Sequence, residues 1–423
     1  MTTIHKIKEK SIFLSKFYLL FMVTIIVNSG YVLSTVYDVT FLLAFLIPTF
    51  ILLIFSFSFL KIDRTDKYKN TNYYVLLCIG IALSTIINYT RANVMPATRF
   101  LLVITVAFLV SNIISFKVFI SGYIRAMKYI TLISLAVFIA ANYLSAVFNL
   151  PVVQNVNGVF YKNGYAFFLM MSSGSSAYKN IGVFWEPGLF SSFLLIAIVF
   201  EILFKDKETA SKFNISLFVL GILSTQSTAG IMLLVLVGFL AIGKRLKKNV
   251  PLMTFLIIFF TFIVIYFYDQ ILDSFVSLNP DIFSKLTEMD RKTTATRINA
   301  PLYNLEIWLK NPIFGLGFNN AAGEFANYMQ RNALNITAQT STSTLIMASL
   351  GISGIIYTIA WVFSIMRMPK MNAIIKAVLL LLFIIIVNKE PHINNLCTWC
   401  ILFYLINESK SAKSITVNDN VLT

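Results

Sequence analysis

Long apolar stretches separated by polar segments run along most of the chain. Most of these stretches approach the roughly 20 apolar residues that a helix needs to cross a bilayer. The pattern predicts an all-α polytopic membrane protein with about 12 transmembrane helices, forming a single integral membrane domain over residues 1–423. The stretches lie near residues 17–36, 38–60, 73–90, 97–116, 129–148, 187–204, 213–227, 229–243, 251–268, 343–365, 372–388 and 393–407.

One part of the chain leaves the helix count open. The stretches at 213–227 and 229–243 are short and are separated by little more than a Ser/Thr-rich turn. Two spanning helices or one re-entrant pair would both fit this segment.

Composition excludes a soluble globular domain. Hydrophobic residues make up 58% of the 423 residues, charged residues make up 12%, and mean hydropathy is +0.79. A soluble domain carries about 25% charged residues. The chain therefore belongs in a membrane.

The lysines and arginines indicate the orientation of the chain in that membrane. With the N-terminus inside, 23 of the 34 Lys and Arg residues fall in inner loops and 11 in outer loops, whereas the acids divide 8 to 10. An excess of Lys and Arg in cytoplasmic loops is the general rule for membrane proteins. The net charge of +16 therefore reflects topology and not affinity for nucleic acid, and both termini are predicted to be cytoplasmic.

Two long polar segments, residues 149–186 and 269–343, lie on the predicted outer side. Loops longer than about 12–15 residues usually carry function. In the larger loop we expect a short helix around Arg297, a second from Pro301 to Lys310 and a third from Ala321 to Arg331. Such helices could lie over the membrane as a lid, or form a packed cap without chemistry.

A turn is predicted after the second of these helices. Asn311-Pro312 ends the helix, because a residue before proline is pushed out of helical geometry. Gly315 and Gly317 then allow tight turning and close approach of a ligand to the backbone.

Arginine on the outer side runs against the charge bias and needs a local explanation. The planar, permanently charged guanidinium suits bidentate binding of phosphate or carboxylate. Arg91 and Arg99 bracket a short predicted loop between two spanning helices, and for them binding and a solvated loop charge are equally favoured. Most of the outer lysines are interpreted as solvated or snorkelling charges.

Glu186 immediately precedes Pro187, which suits the first turn of a helix. A carboxylate at this position can cap the helix, and that structural role is the favoured reading from the residues alone. A general base at the outer boundary of the membrane is the functional alternative.

Cofactor chemistry is not expected. Cys397 and Cys400 lie within the last apolar stretch and are interpreted as packing residues, with no companion metal ligands nearby. No Gly-rich phosphate loop is present in the sequence. The sequence therefore predicts neither a metal nor another cofactor.

The larger loop resembles a known family. Arg297, Trp308 and Asn311-Pro312-x-x-Gly315-x-Gly317, between the ninth and tenth predicted helices, are similar to motifs of the O-antigen ligase/polymerase superfamily of bacterial inner-membrane enzymes. Phe184-x-Glu186-Pro187 and the turn Ser224 to Gly230 resemble the polymerase members.

The resemblance implies a GT-C-like, metal-independent glycosyltransferase of the bacterial inner membrane. Such enzymes transfer a saccharide from an undecaprenyl diphosphate carrier on the periplasmic side, in some cases alongside a chain-length regulator and a flippase. Arg297 matches the arginine that the family assigns to diphosphate binding. The predicted binding residues are Arg91, Arg99, Arg291, Arg297, Gly315, Gly317 and Asn319.

Two departures from the family pattern matter: the first favours a polymerase over a ligase, and the second leaves one phosphate contact unassigned. Ligases carry a His-Asn pair before the tenth helix, where this chain has Thr340 to Thr344. Many relatives also carry an arginine in the turn that reads Gln226-Ser227-Thr228 here. A ligase and a flippase or transporter remain the alternatives. Glu186 is the leading candidate base, followed by Glu324, Glu390 and His392.

Overall fold

A computed structural model describes eleven parts of the chain, and all structural statements concern these residues. They are 17–32, 51, 70–144, 150–155, 159–164, 166–171, 178–205, 210–245, 292–331, 339–369 and 371–419. The chain divides into two compact units. Unit 1 comprises residues 1–62 and 113–237, and unit 2 comprises residues 63–112 and 238–423.

The described residues are mostly helical. Of the predicted apolar stretches, 38–60 (apart from Ile51) and 251–268 lie outside the described residues. The helices are α1 (Phe17–Val27), α2 (Thr71–Ile87), α3 (Arg91–Ile113), α4 (Phe116–Tyr143), α5 (Pro187–Val199), α6 (Lys212–Thr225), α7 (Thr228–Arg245), α8 (Lys292–Lys310), α9 (Phe318–Arg331), α10 (Thr342–Leu350), α11 (Ile352–Met366), α12 (Ala373–Lys389) and α13 (Leu396–Asp419).

Three described helices are long and apolar enough to cross a membrane: Arg91–Ile113, Phe116–Tyr143 and Pro187–Phe204, the last being α5 with its π-helical continuation Phe200–Phe204. Large apolar side chains also face outward on several helices, among them Ile79 and Ile86 of α2, which are 50% and 69% exposed. Outward-facing apolar rows of this kind mark surfaces that contact lipid or another protein. The chain is a helical membrane protein.

The prediction of an all-α fold is wrong for residues 149–186. This segment contains a four-stranded antiparallel sheet in the order β1-β2-β3-β4. Its strands are rich in Phe, Tyr, Val and Ile, which favour extended structure, but the short runs lack the regular alternation that would have predicted strands. The strands are β1 (Val152–Gln154), β2 (Phe160–Gly164), β3 (Phe167–Met171) and β4 (Tyr178–Gly182).

The sheet packs within unit 1 through a buried asparagine. The Asn180 amide donates to the hydroxyls of Ser134 on α4 and Ser224 on α6, at 3.2 and 3.0 Å, and its Oδ1 accepts from the Gly182 backbone N–H at 2.9 Å. Every polar group of this fully buried side chain is thereby engaged. The sheet is fixed to the two helices whose ends it meets.

In unit 2, the apolar stretch predicted at 343–365 is two helices and not one. α10 ends at Leu350 and α11 begins at Ile352, with Gly351 between them at φ +64°. A Cβ on Gly354 would meet the Met347 backbone at 2.5 Å, so the first turn of α11 folds back against α10. Glycine at positions 351 and 354 permits the positive φ and this close approach.

The larger of the two polar segments, predicted at 269–343, also differs from its predicted division into helices. Residues 292–310 form the single helix α8, with Pro301 inside it, in place of two helices. Proline cannot donate to the carbonyl four residues earlier, that of Arg297, but the backbone stays helical across it. The third predicted helix is confirmed and begins three residues earlier, at Phe318.

The Asn311–Gly317 loop closes the C-terminal end of α10. Backbone N–H groups of Leu316 and Gly317 donate to the carbonyls of Ala348 and Ser349, both at 2.9 Å. These are carbonyls that the end of a helix leaves without intrahelical partners. A Cβ on Gly315 would meet the Ser349 backbone at 2.4 Å. The close approach that Gly315 permits is therefore to the protein's own backbone.

We expect Gly315→Ala to destabilise the protein by about 2–4 kcal/mol, because a left-handed φ is costly for alanine and the new methyl group strikes backbone. Its φ is +66°. A Cβ on Gly323, inside α9, would meet no atom within 4 Å. Gly323→Ala should instead stabilise by about 0.5–1 kcal/mol. Thermal unfolding of both variants in detergent checks the pair, and equal effects would contradict this account of the loop.

Candidate active site

Three helices of unit 2 share a small apolar core. α8 contributes Ala300 and Ile307, α9 contributes Ala321, Phe325 and Met329, and α10 contributes Ala348, all fully buried. Tyr303 and Tyr328 stack at its edge, with ring centroids 5.6 Å apart. This core fixes the positions from which polar groups of the three helices are presented.

An asparagine from another helix caps the N-terminus of α9. The Asn93 Oδ1 atom, on α3, accepts from the backbone N–H groups of Asn319 and Asn320 at 2.8 and 3.3 Å. These are the second and third helical positions, which an N-capping side chain ordinarily bonds. The Asn93 amide also donates to the Asn88 carbonyl at 2.8 Å. Asn93 itself is buried, so α9 is attached directly to the start of α3.

A second asparagine caps α10 in the same way. The Asn388 Oδ1 atom, near the end of α12, accepts from the Ser343 backbone N–H at 2.9 Å and from the Ser341 hydroxyl at 3.1 Å. Ser341 occupies the N-cap position but makes no capping bond of its own. The cap is therefore supplied by a neighbouring helix.

Side chains connect α8 to this cap in one directed chain of hydrogen bonds. The Gln339 amide donates to Asn304, Asn304 donates to Thr344, and Thr344 donates to Ser341, at 3.3, 3.2 and 2.7 Å. Ser341 then donates to Asn388. The chain passes through the Thr340–Thr344 segment. Hydroxyl and amide groups of this kind are suited to binding sugar hydroxyls.

The turn after α12 joins the same cluster through Thr342. Its hydroxyl accepts from the His392 backbone N–H at 2.7 Å and donates to the Glu390 carbonyl at 3.4 Å. Thr342, Glu390 and His392 are all buried. The predicted outer turn thus packs against the N-terminal end of α10.

The ring of His392 is neutral and has a defined orientation. Burial, with the charge of Lys389 as a smaller cause, lowers the pKa of His392 to about 3. The Asn395 amide nitrogen and the Thr398 hydroxyl lie 3.2 and 2.9 Å from Nδ1. Because an amide nitrogen can only donate, Nδ1 is the acceptor and the ring proton sits on Nε2.

Two buried polar atoms of this cluster have no hydrogen-bond partner among the described residues. They are His392 Nε2 and the Thr340 hydroxyl oxygen. Buried polar atoms are almost always satisfied, so each such atom marks a place where a water or a ligand oxygen is expected. The cluster formed by Thr340–Thr344, Asn304, Asn388, Glu390 and His392 is the candidate active site of unit 2.

Arg297 lies on α8, the helix that carries Asn304 of this cluster. Its backbone is helical, and helical periodicity puts position 297 on the same face as positions 300, 304 and 307. That face contacts the apolar core and carries Asn304 of the hydrogen-bonded chain. Position 297 therefore lies two turns before Asn304 on the face that the site uses.

The other predicted arginines are placed differently. The predicted loop between Arg91 and Arg99 is wrong, since both residues lie in α3 and Pro96 is accommodated within that helix. Arg91 is exposed and Arg99 is half-buried. Arg291 lies outside the described residues. Pro96 is the sixth residue of this helix, so its missing N–H leaves the Ala92 carbonyl without its intrahelical donor, but the backbone stays helical across it.

The predicted glycines and Asn319 do come together, but around protein groups. A Cβ on Gly317 would meet the Asn93 side chain at 2.7 Å. The Asn88 amide donates to the Gly315 carbonyl at 3.0 Å, and Asn319 is held by its backbone N–H. The turn is accounted for by its contacts with α2, α3 and α10.

Glu186 occupies the N-cap position of α5 in unit 1, as expected, with Pro187 at the first helical position. The predicted capping hydrogen bond of its side chain is not formed, whereas the predicted position at the N-terminal end of the helix is confirmed. The half-buried Glu186 begins α5 through its extended backbone, with φ −147° and ψ 144°.

The remaining acidic candidates are Glu324 and Glu390. Glu324 lies on α9, 3.9 Å from the Lys310 amino group, and accepts from the Asn327 amide at 3.2 Å. This is an ion pair at the surface of α8 and α9. Glu390 is buried beside the candidate site. Within the described ranges, no three His, Cys, Asp or Glu side chains form a group that could hold a metal ion.

Sequence reasoning does not identify the asparagines that organise the site. In the sequence, Asn93 and Asn388 are polar residues near predicted loops, and Asn304 belongs to no motif. The one sequence feature that could have pointed to Asn304 is that it places a lone amide on the helix face of Ala300 and Ile307. Asn88 and Ser84, at the end of α2, show the same pattern of polar residues closing an apolar helix.

No model of a known protein family matches the sequence, and a search of curated proteins gives no match. The resemblance to the O-antigen ligase/polymerase superfamily therefore depends only on the short motifs described above.

We expect Asn93→Ala to destabilise the protein by about 1–2 kcal/mol, because two N–H groups of α9 lose their acceptor. Asn93→Asp should restore most of this loss, since a carboxylate accepts the same bonds at the positive end of the helix. Asn327→Ala, at an exposed position of α9, should change stability by less than about 0.5 kcal/mol. Thermal unfolding of the three variants measures the differences, and an unchanged Asn93→Ala protein would contradict the capping role.

His392 predicts a pH dependence of stability. Its folded pKa of about 3 lies below the ordinary value, so the unfolded chain takes up a proton that the folded protein does not. Stability should therefore fall as pH drops below about 6.5, by at most about 1.4 kcal/mol per pH unit from this residue. His392→Gln should show a shallower fall in unfolding temperature between about pH 7.5 and pH 5 than the unmodified protein. Identical slopes would show that His392 is not buried neutral.

Proposed function

We propose that the protein is a glycosyltransferase that polymerises oligosaccharide repeat units carried on undecaprenyl diphosphate at the periplasmic face of a bacterial inner membrane. The observation that carries the proposal is the hydrogen-bonded chain from Asn304 to Asn388. It links the helix of Arg297 to the Ser/Thr segment at the start of α10. A GT-C-like arrangement of about 12 spanning helices is part of the same proposal.

In the proposed reaction, a hydroxyl of one carrier-linked repeat unit attacks the anomeric carbon of the sugar on another carrier. The bond between that carbon and the diphosphate oxygen breaks, and undecaprenyl diphosphate leaves with the bonding electrons. The acceptor proton passes to a general base. The products are one lengthened carrier-linked chain and one free carrier diphosphate, and no redox step or metal is needed to balance them.

Arg297 is proposed to bind the departing diphosphate. Negative charge grows on this group as the glycosidic bond breaks, and a fixed guanidinium offsets it where water is partly excluded. Amides and hydroxyls of the candidate site are proposed to bind saccharide hydroxyls, with His392 Nε2 and the Thr340 hydroxyl as groups that lack a partner among the described residues. Arg91, Arg99 and Arg291 are proposed as further diphosphate contacts.

The ends of α10 favour an enzyme over a transporter. Transporters often present the open ends of broken helices to their substrates. The turn at Gly351 divides one predicted apolar stretch into α10 and α11. Both ends of α10 are nevertheless closed by protein groups, Asn388 at one end and the Leu316–Gly317 backbone at the other. Its termini are thus already bonded to the protein.

We expect Arg297→Ala to lower polymer synthesis about 100-fold or more, as for loss of a group that stabilises developing charge. Lys310→Ala is the control, because Lys310 lies at the far end of α8 on an exposed position. Each variant is expressed in cells lacking the native copy, and surface polysaccharide is separated by gel electrophoresis. Arg297→Ala should leave single repeat units on lipid A core, whereas Lys310→Ala should give full-length polymer.

Full-length polymer from Arg297→Ala at normal expression would overturn the proposal. The deletion phenotype separates the other functions. Polymer that stays on the carrier and never reaches lipid A core indicates a ligase, and repeat units held on the cytoplasmic face indicate a flippase.

A further inference from the structure

The outward face of α8 is apolar. Leu302 and Leu309, two turns apart on one face, are 54% and 66% exposed, and the half-buried Leu305 lies between them. Single exposed leucines are normal on a soluble surface, but a continuous apolar row marks contact with lipid or protein.

This row continues onto the loop that follows and onto α11. Ile313 is 60% exposed and Phe314 is 38% exposed. The Ile352 backbone N–H, at the start of α11, donates to the Ile313 carbonyl at 3.1 Å, and Ile352 is itself 58% exposed. The loop is thus joined directly to the first turn of an apolar helix.

α11 also has an exposed apolar surface. Its 15 residues include no charged side chain, and its outward side chains include Ile359 and Phe363, which are 45% and 52% exposed. An outward face of this kind marks contact with lipid or another protein. The α8 row is continuous with this apolar surface through Ile313 and Ile352.

The neighbouring helix α9 has the opposite character. Phe318, Phe325 and Met329 are buried, whereas the exposed positions include Asn319, Asn327, Gln330 and Arg331. Two adjoining helices therefore present different surfaces: the exposed positions of α9 are mainly polar, whereas those of α8 include an apolar row.

Polar groups on α8 border its apolar row. Glu306 and Lys310 lie at one edge, and Lys310 donates to the Tyr328 hydroxyl at 2.6 Å. Trp308 is half-buried, with its indole N–H bonded to the Pro312 carbonyl at 3.1 Å. Charged groups and tryptophan beside an apolar face are typical of helices that lie in the bilayer interface.

We propose that α8 and the loop after it lie in the membrane interface, with Leu302, Leu305, Leu309, Ile313 and Phe314 against the acyl chains of the leaflet that also covers Ile352. The partner is the lipid bilayer. This inference concerns where α8 lies and does not rest on the proposed glycosyltransferase activity.

Lipid quenching tests the position of α8. Leu309→Cys, Phe314→Cys and Asn327→Cys are made separately in the full chain with Cys78 replaced by serine. Cys397 and Cys400 are buried and remain. Each variant is labelled with bimane and reconstituted into phosphatidylcholine–phosphatidylglycerol vesicles, with or without acyl-brominated lipid, and iodide serves as the aqueous quencher. Phe363→Cys on α11 gives the reference value for lipid contact.

Brominated lipid should quench labels at Leu309 and Phe314 at least half as strongly as the label at Phe363, and iodide should quench them several-fold less than the label at Asn327. The Asn327 label should respond mainly to iodide. Iodide quenching at Leu309 and Phe314 equal to that at Asn327 would overturn the proposal. Protection from both quenchers, together with disulfide crosslinking of Leu309→Cys between two copies, would also overturn it and assign this face to a dimer.

Discussion

The arrangement of α8, α9 and α10 in unit 2 depends on how the ends of one short helix are closed. α10 has only nine residues, and its unpaired N–H and C=O groups are satisfied from outside it. Asn388 closes the N-terminus, and the loop backbone at Leu316 and Gly317 closes the C-terminus. Ser84 adds a second bond to the Ser349 carbonyl at 2.8 Å. Unpaired backbone groups are too costly to bury, so α10 cannot move without breaking contacts to α2, α12 and the loop.

These closures limit where chemistry can occur. A free helix N-terminus is a ready site for an anion such as diphosphate. The N-termini of α9 and α10 already hold the side-chain oxygens of Asn93 and Asn388. These two N-termini are therefore closed to an anion. Under the proposed function, diphosphate binding would depend on side-chain cations such as Arg297, and the packing of α8 against α9 and α10 fixes the helix that carries this residue.

Most of the helices could be predicted from the sequence, but little of the organisation of the candidate site could. Apolar runs of about 20 residues identify spanning helices because the bilayer imposes their length. The sheet around Asn180 and the turn at Gly351 were missed, since each depends on contacts between segments distant in sequence. The glycines of the Asn311–Gly317 motif predicted a close approach to the backbone. That approach proved to be to Ser349 and Asn93, a contact that no local pattern specifies.

α8 combines the two environments that an amphiphilic substrate would require. One face carries Asn304 and position 297 beside the hydrogen-bonded chain, and the face roughly opposite carries Leu302 and Leu309. A carrier-linked saccharide has an acyl-like tail that belongs in lipid and a diphosphate sugar that belongs in a polar site. A helix lying at the boundary would hold its arginine at the depth where the two parts of such a molecule join. α8 packs against α9 and α10, and both of these helices have closed N-termini. α8 would therefore hold Arg297 at one depth more firmly than a free loop would.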